Sequence, residues 1–229
     1  QDTKASKGGV NHASMLGVQM AELLYRHYGG QMLMMDPPVV DELWDVARVT
    51  GVDGIYRRSG THALNLKATA RKHASRIGKN YESCNFIVCH IDGGISITAH
   101  QKGRMIDGNN AGGGEGPFSP TRMGSMAVTD LLRYFEAGDL DKLKSLCSQT
   151  GGLSSYFGTS NSDAVHKLVE EGDPKAIRVW NAMIYQINKW IGAMSTVLKG
   201  NVDGILLTGG LVRFPDIVKQ IRECCEWIA

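Results

Sequence analysis

The sequence predicts an α/β protein, and three observations support this. Three short apolar runs joined by tight turns, over 86–91, over 95–98 and from residue 105, indicate an antiparallel meander of strands. Apolar side chains recurring at three- and four-residue steps over 174–198 indicate a long helix. A further apolar run over 202–208 ends in a glycine pair and leads into another helical segment.

The residues before the meander predict three helices. The first covers 11–27 and is stopped by a glycine pair, the second covers 40–49, and the third covers 61–77. A short apolar run at 31–35 is interpreted as a strand that ends in a proline turn. The many basic groups of the third helix fit a solvated helix face better than a ligand site.

Beyond the meander the chain is predicted to be mostly helical. A glycine-rich passage over 107–124 is expected to be a long loop, and long loops in compact domains are usually functional. Amphipathic pieces at 126–136 and 163–171 precede the long helix, whose two tryptophans are expected in the core. The last helix is predicted over 214–227.

Composition excludes several classes of protein. The chain has 229 residues, of which 42% are hydrophobic and 21% charged, so disorder, collagen and coiled coil are excluded. A net charge of +2 offers no general footprint for nucleic acid or anionic lipid. No run approaches the roughly 20 apolar residues that span a bilayer, and no signal peptide is apparent. Five cysteines without a C-x-x-C pair favour a reducing compartment, so we expect a cytoplasmic protein.

Two glycine pairs stand where a phosphate can be held. Gly93 and Gly94 form the turn after the first strand of the meander, where unscreened backbone N–H groups make an anion-binding nest. Gly209 and Gly210 lie between a strand and a helix, whose N-terminus favours a phosphate or a ribose. Their order along the chain suits a nucleotide lying between two halves of a sheet domain.

Other nucleotide and hydrolase motifs fail when tested. A Walker loop needs Ser or Thr after Gly-Lys, but Gly78 and Lys79 are followed by Asn80. A dinucleotide fingerprint needs a glycine where the glycine-rich loop has Pro117. No G-x-S-x-G or H-E-x-x-H occurs, so hydrolase and metalloprotease functions are disfavoured.

Six segments carry a pattern that can be compared with known families: NHASMLG (11–17), SGTHALNLKATAR (59–71), HIDGGIS (90–96), IDGNNAGGGEGPFSPTRMG (106–124), EEGDPKA (170–176) and ILLTGGL (205–211). In order and spacing they resemble those of the butyrate kinases, which belong to the acetate/propionate kinase group of the actin–hexokinase–Hsp70 superfamily. The resemblance covers nearly the whole chain, and its NNA-x-x-GEGPFSP segment is specific among kinases.

The resemblance implies a two-domain, ribonuclease H-like acyl kinase fold that is incomplete at both ends. Residues 1–82 are expected to be the remainder of a substrate-side domain, and 83–229 to form a nucleotide-binding domain. The implied reaction transfers the γ-phosphoryl group of ATP, with Mg²⁺, to a short-chain carboxylate, giving butanoyl phosphate and ADP if the acid is butyrate. A homodimer is the implied assembly.

The resemblance also implies roles for individual residues. Arg122 and His90 match the residues that stabilise the transferred phosphoryl group in the family. Without the resemblance, Arg122 would be interpreted as a surface arginine and His90 as a hydrogen-bonded histidine at the end of a strand. The nucleotide is assigned to Asp92, Gly93, Gly94, Asn161, Gly209 and Gly210.

The carboxylate pocket is assigned to His62 and Asn65, although a helix cap and a core contact explain these two residues equally well. Glu115 and Asp107 are weaker candidates for indirect contact with Mg²⁺, and no residue is assigned as a direct metal ligand.

Five positions depart from the family pattern. Met15 replaces an asparagine, Leu66 a glutamine, Thr121 a glutamate, Met123 a serine and Asp92 a glycine. Aspartate tolerates left-handed backbone, but its charge repels phosphates unless a cation lies between them. The two apolar replacements make the substrate region more apolar. The alternatives are therefore an acetate or propionate kinase, a nucleotide-binding relative without kinase activity, and a scaffold built on the long helices.

Overall fold

The computed structural model describes residues 14–135 and 139–229. Contacts between Cα atoms divide the chain into two compact units, Gln1–Met35 and Asp36–Ala229. The larger unit contains all the residues proposed above for the chemistry.

The smaller unit contains helix α1 (Ser14–Tyr28). This helix ends as predicted at Gly29, whose φ of 68° is left-handed. The predicted start at 11–13 lies outside the described residues. The strand predicted over 31–35 is wrong: within the described residues this segment has no hydrogen-bonded neighbour, and an isolated strand leaves its backbone groups unpaired.

The larger unit is built on a four-stranded mixed sheet. Its strands are β1 (Asn85–Ile91), β2 (Ile95–Gln101), β3 (Arg104–Gly108) and β4 (Gly204–Thr208), in the spatial order β3-β2-β1-β4. β2 pairs antiparallel with both β1 and β3, which confirms the predicted meander. β4 lies parallel to β1, so the chain between them, which includes β2, β3 and a long helical passage, forms the crossover. The α/β prediction is confirmed.

The helices described in this unit follow one another around the sheet. They are α2 (Asp45–Arg48), α3 (Ala63–Arg76), α4 (Val128–Tyr134), α5 (Leu140–Ser148), α6 (Leu153–Phe157), α7 (Ser162–Glu170), α8 (Pro174–Val197) and α9 (Pro215–Cys225). The predictions for α3, α7, α8 and α9 are confirmed to within two residues at each end. α4 is shorter than the predicted 126–136, of which residue 136 lies outside the described residues, and α5 and α6 were not predicted.

The helix predicted over 40–49 is wrong for most of its length, because only α2 forms there. The backbone N–H of Trp44 donates to the carbonyl of Ile106 at 2.9 Å, so the chain runs beside the edge strand β3. The Glu42 carboxylate accepts the N–H of Met105 at 2.8 Å. Hydrogen bonds to the open edge of β3 thus replace the bonds of a helical turn.

The sheet separates two apolar layers, because successive side chains of a strand point to opposite faces. One face packs on α3, in a layer made of Ala63, Leu66, Ala70, Ala74, Tyr81, Cys84, Phe86, Val88, Met105 and Leu206. The other face packs on α8 and α9, where Trp180 is wholly buried and Trp190 is partly buried. The prediction that both tryptophans belong to the core is confirmed.

A chain of buried polar groups lies within the layer beneath α3. The Tyr81 hydroxyl and His100 Nδ1 are 2.7 Å apart, and the other ring nitrogen of His100 is 2.7 Å from Thr98 Oγ1. Burial, with smaller contributions from Lys67 and Arg71, lowers the pKa of His100 to about 3. The imidazole is therefore neutral in the folded protein, with both nitrogens hydrogen bonded.

We expect this histidine to make folding stability depend on pH. Its pKa is about 6.5 in the unfolded chain, so below that pH the unfolded chain binds a proton that the folded protein does not. The free energy of unfolding should fall as pH decreases below about 6.5, and His100 should contribute up to about 1.4 kcal/mol per pH unit to this slope. Urea denaturation of His100→Gln at a series of pH values should give a shallower slope than the wild type.

The matched control is His27→Gln on α1, where the side chain is exposed. This variant should keep the wild-type slope. Equal slopes for the wild type and His100→Gln would show that the buried imidazole is not the titrating group.

Candidate functional site

Two glycine turns leave the sheet at one edge. The first joins β1 to β2 and the second follows β4, and parallel pairing of β1 with β4 sets His90 opposite Thr208. The carboxyl ends of the two strands are therefore neighbours. Gly209 has a φ of 100°, and a Cβ on it would lie 2.4 Å from the carbonyl oxygen of Ile91. Only glycine permits this close approach of the two turns.

The Asp92 carboxylate connects the two turns. One of its oxygens accepts the N–H of Gly93 at 2.8 Å, and the other accepts the N–H of Gly210 at 2.7 Å, 118 residues away in sequence. A Cβ on Gly210 would lie 2.9 Å from the second oxygen, so the carboxylate rests directly on that glycine. Asp92 thereby engages two of the backbone N–H groups that the sequence predicts for a phosphate.

The Arg122 guanidinium covers the first turn. A Cβ on Gly94 would lie 2.5 Å from the guanidinium carbon, so the planar group lies flat against the glycine backbone. Its Nε is buried and has no hydrogen-bond partner among the described residues. Burial lowers the pKa of Arg122, yet a guanidinium stays charged at any physiological pH. The turn thus carries a half-buried cation that forms no ion pair within the described part of the chain.

The loop that carries Arg122 is fastened to the same turn. The hydroxyls of Ser119 and Thr121 both donate to the carbonyl of Gly93, at 2.7 and 2.8 Å. Gly152 allows the next segment to approach, since a Cβ there would lie 1.6 Å from the carbonyl oxygen of Ser119. Thr121, a departure from the family pattern, therefore holds the guanidinium in place over the turn.

His90 and His62 stack at the end of β1, with ring centroids 4.0 Å apart. Asn65 Oδ1 lies 2.9 Å from His90 Nδ1, and Ser96 Oγ lies 2.8 Å from His62 Nδ1. His62 takes the position before the first residue of α3, but its side chain makes no capping bond to that helix. Both residues predicted for the carboxylate pocket, His62 and Asn65, therefore contact groups of this edge.

The electrostatics of His90 reflect its place between the charges of the site. Burial lowers its pKa most; the neighbouring Asp92 carboxylate opposes this and the Arg122 guanidinium adds to it. The net pKa is lower than that of an ordinary histidine, so the ring is mostly neutral at neutral pH.

Arg57 organises the first half of the glycine-rich loop. Its guanidinium pairs with Asp107 and Glu115, each at 3.0 Å, and donates to the carbonyls of Ala47 and Gly108, each at 2.7 Å. The two carboxylates considered for Mg²⁺ are therefore both paired with the same guanidinium, that of Arg57. Sequence reasoning missed Arg57, because one arginine of the pair Arg57-Arg58 before a helix carries no signal of a partner 50 residues away.

Asn161 begins α7, where its Oδ1 caps the helix by accepting the N–H groups of Asp163 and Ala164. Arg213 connects this helix start to the second turn, since it donates to Asp163 at 2.7 Å and to the Gly210 carbonyl at 2.9 Å. Arg213 thus links the start of α7, where Asn161 lies, to the second turn, and the role of Asn161 toward a nucleotide stays a prediction.

The departures expected to make the substrate region more apolar are only partly described. Leu66 is wholly buried in the layer between α3 and the sheet, where it serves packing. The side chain of Met15 lies outside the described part of the structure. The expectation of a more apolar substrate region therefore stays a prediction.

Residues 14–135 and 139–229 hold neither a metal-ligand cluster nor a membrane-spanning helix. Within those ranges no three His, Cys, Asp or Glu side chains converge as a metal-binding group. Over the same described residues, no helix has the length and apolar character needed to cross a bilayer.

The contacts of Arg57 predict a large effect on stability. In Arg57→Ala, two half-buried carboxylates lose their cation and two carbonyls lose a donor, so the free energy of unfolding should fall by about 3 kcal/mol. Urea denaturation at neutral pH measures this loss. The neighbouring exposed Arg58 supplies the control, because Arg58→Ala should cost less than about 0.5 kcal/mol. Similar losses in the two variants would contradict the role of Arg57.

Known proteins align with nearly the whole chain. The chain is 45% identical over 230 residues to a probable butyrate kinase of Listeria welshimeri and 44% identical over 229 residues to one of Listeria monocytogenes. These alignments cover 100% and 99% of the chain, which spans 64% of the length of each relative.

Solved structures of acyl kinases share the fold. An acetate kinase of Porphyromonas gingivalis superposes with a TM-score of 0.73 at 21% identity, covering 82% of this chain and 49% of that one. A propionate kinase of Francisella tularensis gives 0.71 at 18% identity, covering 81% and 50%. The acyl kinase fold implied by the resemblance is confirmed. Since the model of the Acetokinase family also matches residues 43–223, the chain belongs to the acetokinase family.

Proposed function

We propose that this chain carries the phosphoryl-transfer site of an ATP-dependent carboxylate kinase. The observation that carries the proposal is Arg122, a half-buried guanidinium with an unpartnered Nε lying on a glycine turn. Such a cation fits the oxygens of a phosphoryl group, which it contacts through two parallel N–H groups. Phosphoryl transfer depends on such positioning and charge neutralisation more than on covalent help.

The residues of the edge fit a nucleotide. The β- and γ-phosphates would lie at Gly93 and Gly94, and the α-phosphate and ribose at Gly209 and Gly210, where a Cβ would collide with neighbouring groups at three of these four positions. Asn161 would contact the adenosine side. ATP supplies the γ-phosphoryl group, whose phosphorus bonds to a carboxylate oxygen of the acid while its bond to the β–γ bridging oxygen breaks and ADP leaves.

The histidine pair would serve the same transfer. His90 Nδ1 is hydrogen bonded to the amide oxygen of Asn65, and this bond holds the ring in one orientation. A phosphoryl oxygen nearby favours the imidazolium, which donates from Nε2 to the transferred group. His62 and Asn65, on the α3 side, would face the carboxylate of the acid.

The finer parts of the proposal rest on the relatives. Butyrate is the proposed acid because the curated relatives are named probable butyrate kinases, and acetate and propionate are the alternatives. Mg²⁺ would accompany the nucleotide, since it is usually held by phosphates, water and one or two carboxylates. The proposed assembly is a homodimer. The proposed location is the cytoplasm, a reducing compartment in which five free cysteines stay reduced. The division between a substrate-side and a nucleotide-binding domain at residue 82 also stays a prediction.

A second candidate function is nucleotide binding without kinase activity. It is favoured by Asp92, whose carboxylate already holds N–H groups of both turns.

One assay separates these functions. Acyl phosphate formed from Mg-ATP and acetate, propionate, butyrate or isobutyrate is trapped with hydroxylamine. Product that is greatest with the four-carbon acids supports the butyrate kinase assignment. Nucleotide binding without product from any acid supports the second candidate.

Arg122→Ala should act on catalysis far more than on binding. If the guanidinium neutralises the transferred phosphoryl group, kcat should fall by about 10³-fold while the Kd of the nucleotide changes by less than about tenfold. Arg133→Ala on α4, where the side chain is 80% exposed, is the matched control and should leave kcat unchanged. Equal losses in kcat and in nucleotide affinity would contradict this role of Arg122.

A further inference from the structure

Asp92 introduces a negative charge at the junction of the two glycine turns. Its side chain is exposed, and its two oxygens are anchored by the N–H groups of Gly93 and Gly210 at 2.8 and 2.7 Å. Each carboxylate oxygen has a second lone pair that these bonds do not use. The anchored carboxylate therefore presents free acceptor sites at the place proposed for phosphates.

Among the described residues, Asp92 takes part in no ion pair, although the Arg122 guanidinium lies over the same turn. Most other acidic groups of the sheet region are paired with a lysine or an arginine. Arg122 lies over Gly94 and makes no hydrogen bond to the carboxylate. An arriving polyphosphate thus meets a cation on one turn and an unpaired anion between the turns.

We propose that Asp92 makes this site select the magnesium complex of a nucleotide over the metal-free nucleotide. The proposal rests on the proposed nucleotide site and adds the residue that sets its metal requirement. Metal-free phosphates are repelled by the carboxylate at short range. A divalent cation between carboxylate and phosphates turns that repulsion into attraction, and Mg²⁺ accepts one carboxylate together with phosphate oxygens and water.

The hydrogen bonds keep the charge where it acts. Swinging the carboxylate away would leave the N–H groups of both turns without their acceptor, and the close contact with Gly210 leaves little room on that side. A phosphate can use those two N–H groups only by displacing Asp92. The charge of Asp92 therefore discriminates against the bare nucleotide, whereas its hold on the two N–H groups acts on both forms of the nucleotide alike.

The test measures binding, so it does not depend on catalysis. Isothermal titration of the 229-residue chain gives the Kd of ATP with excess EDTA and the Kd of ATP with excess Mg²⁺. We expect the wild type to bind the magnesium complex at least tenfold more tightly. Asp92→Gly should improve the affinity for metal-free ATP by about tenfold and change that for the magnesium complex by less than about threefold, so that the selectivity collapses.

Two further variants isolate the cause. Asp92→Asn removes the charge but keeps the size and one acceptor oxygen, and it should lose most of the selectivity as Asp92→Gly does. It also serves if the glycine variant folds poorly. Asp141→Asn removes a carboxylate that is 93% exposed on α5 and should retain the wild-type selectivity.

Different results would contradict the role of Asp92 and the proposed nucleotide site. Unchanged selectivity in Asp92→Gly and Asp92→Asn, or weaker binding of metal-free ATP to both, overturns the role of Asp92 and leaves the nucleotide site standing. Selectivity lost in the glycine variant alone overturns the part played by charge. Failure of the wild type and of all variants to bind either form of ATP overturns the proposed function as well.

Discussion

Parallel pairing of β1 with β4 is the constraint on which the rest of the site depends. It joins segments more than 100 residues apart and brings their carboxyl ends to one edge of the sheet. Without it Gly93 and Gly210 would belong to unrelated turns, and Asp92 would have no second turn to reach. The layers of α3 on one face and of α8 and α9 on the other stabilise the pairing, because each buries one side of β1.

Some charged side chains at this edge of the sheet form ion pairs, and others do not. Arg57 is satisfied by two carboxylates and holds the loop, whereas Arg122 and Asp92 each lack a partner of opposite sign among the described residues. Structural ion pairs and unpaired charges thus occur within one loop system. An unpaired buried cation is costly for a folded protein, which is why such groups cluster where a ligand supplies the missing charge.

Much of the fold could be predicted from the sequence, because its strands and long helices carry strong periodic patterns. The helix over 40–49 could not, since Trp44 donates a hydrogen bond to β3 and the Glu42 carboxylate accepts one from it, and these bonds override the local pattern. Glycine pairs and the family resemblance pointed to Arg122 and His90. Ser96 and Arg57 were not predicted, because the role of a serine within a strand or of an arginine in a loop depends on partners distant in sequence.

Family resemblance pointed to Asp92 as a departure, but the bridge it makes was not predicted. Its two acceptor bonds depend on the relative position of two turns, and that position follows from strand order. A side chain that looks disruptive in the sequence of one turn can therefore be stabilised by hydrogen bonds to a second turn that is distant in sequence.

The long crossover between β1 and β4 also determines when the glycine edge comes into being. A pairing that closes so large a loop forms late in folding, after local helices and hairpins such as the β1–β2–β3 meander. During synthesis on the ribosome, β1 is made before β4. The backbone groups on the β4 side of β1 therefore have no strand partner until β4 has been synthesised. During that interval the exposed edge of β1 is open to pairing with other chains, so rapid completion of synthesis protects the nascent protein from aggregation.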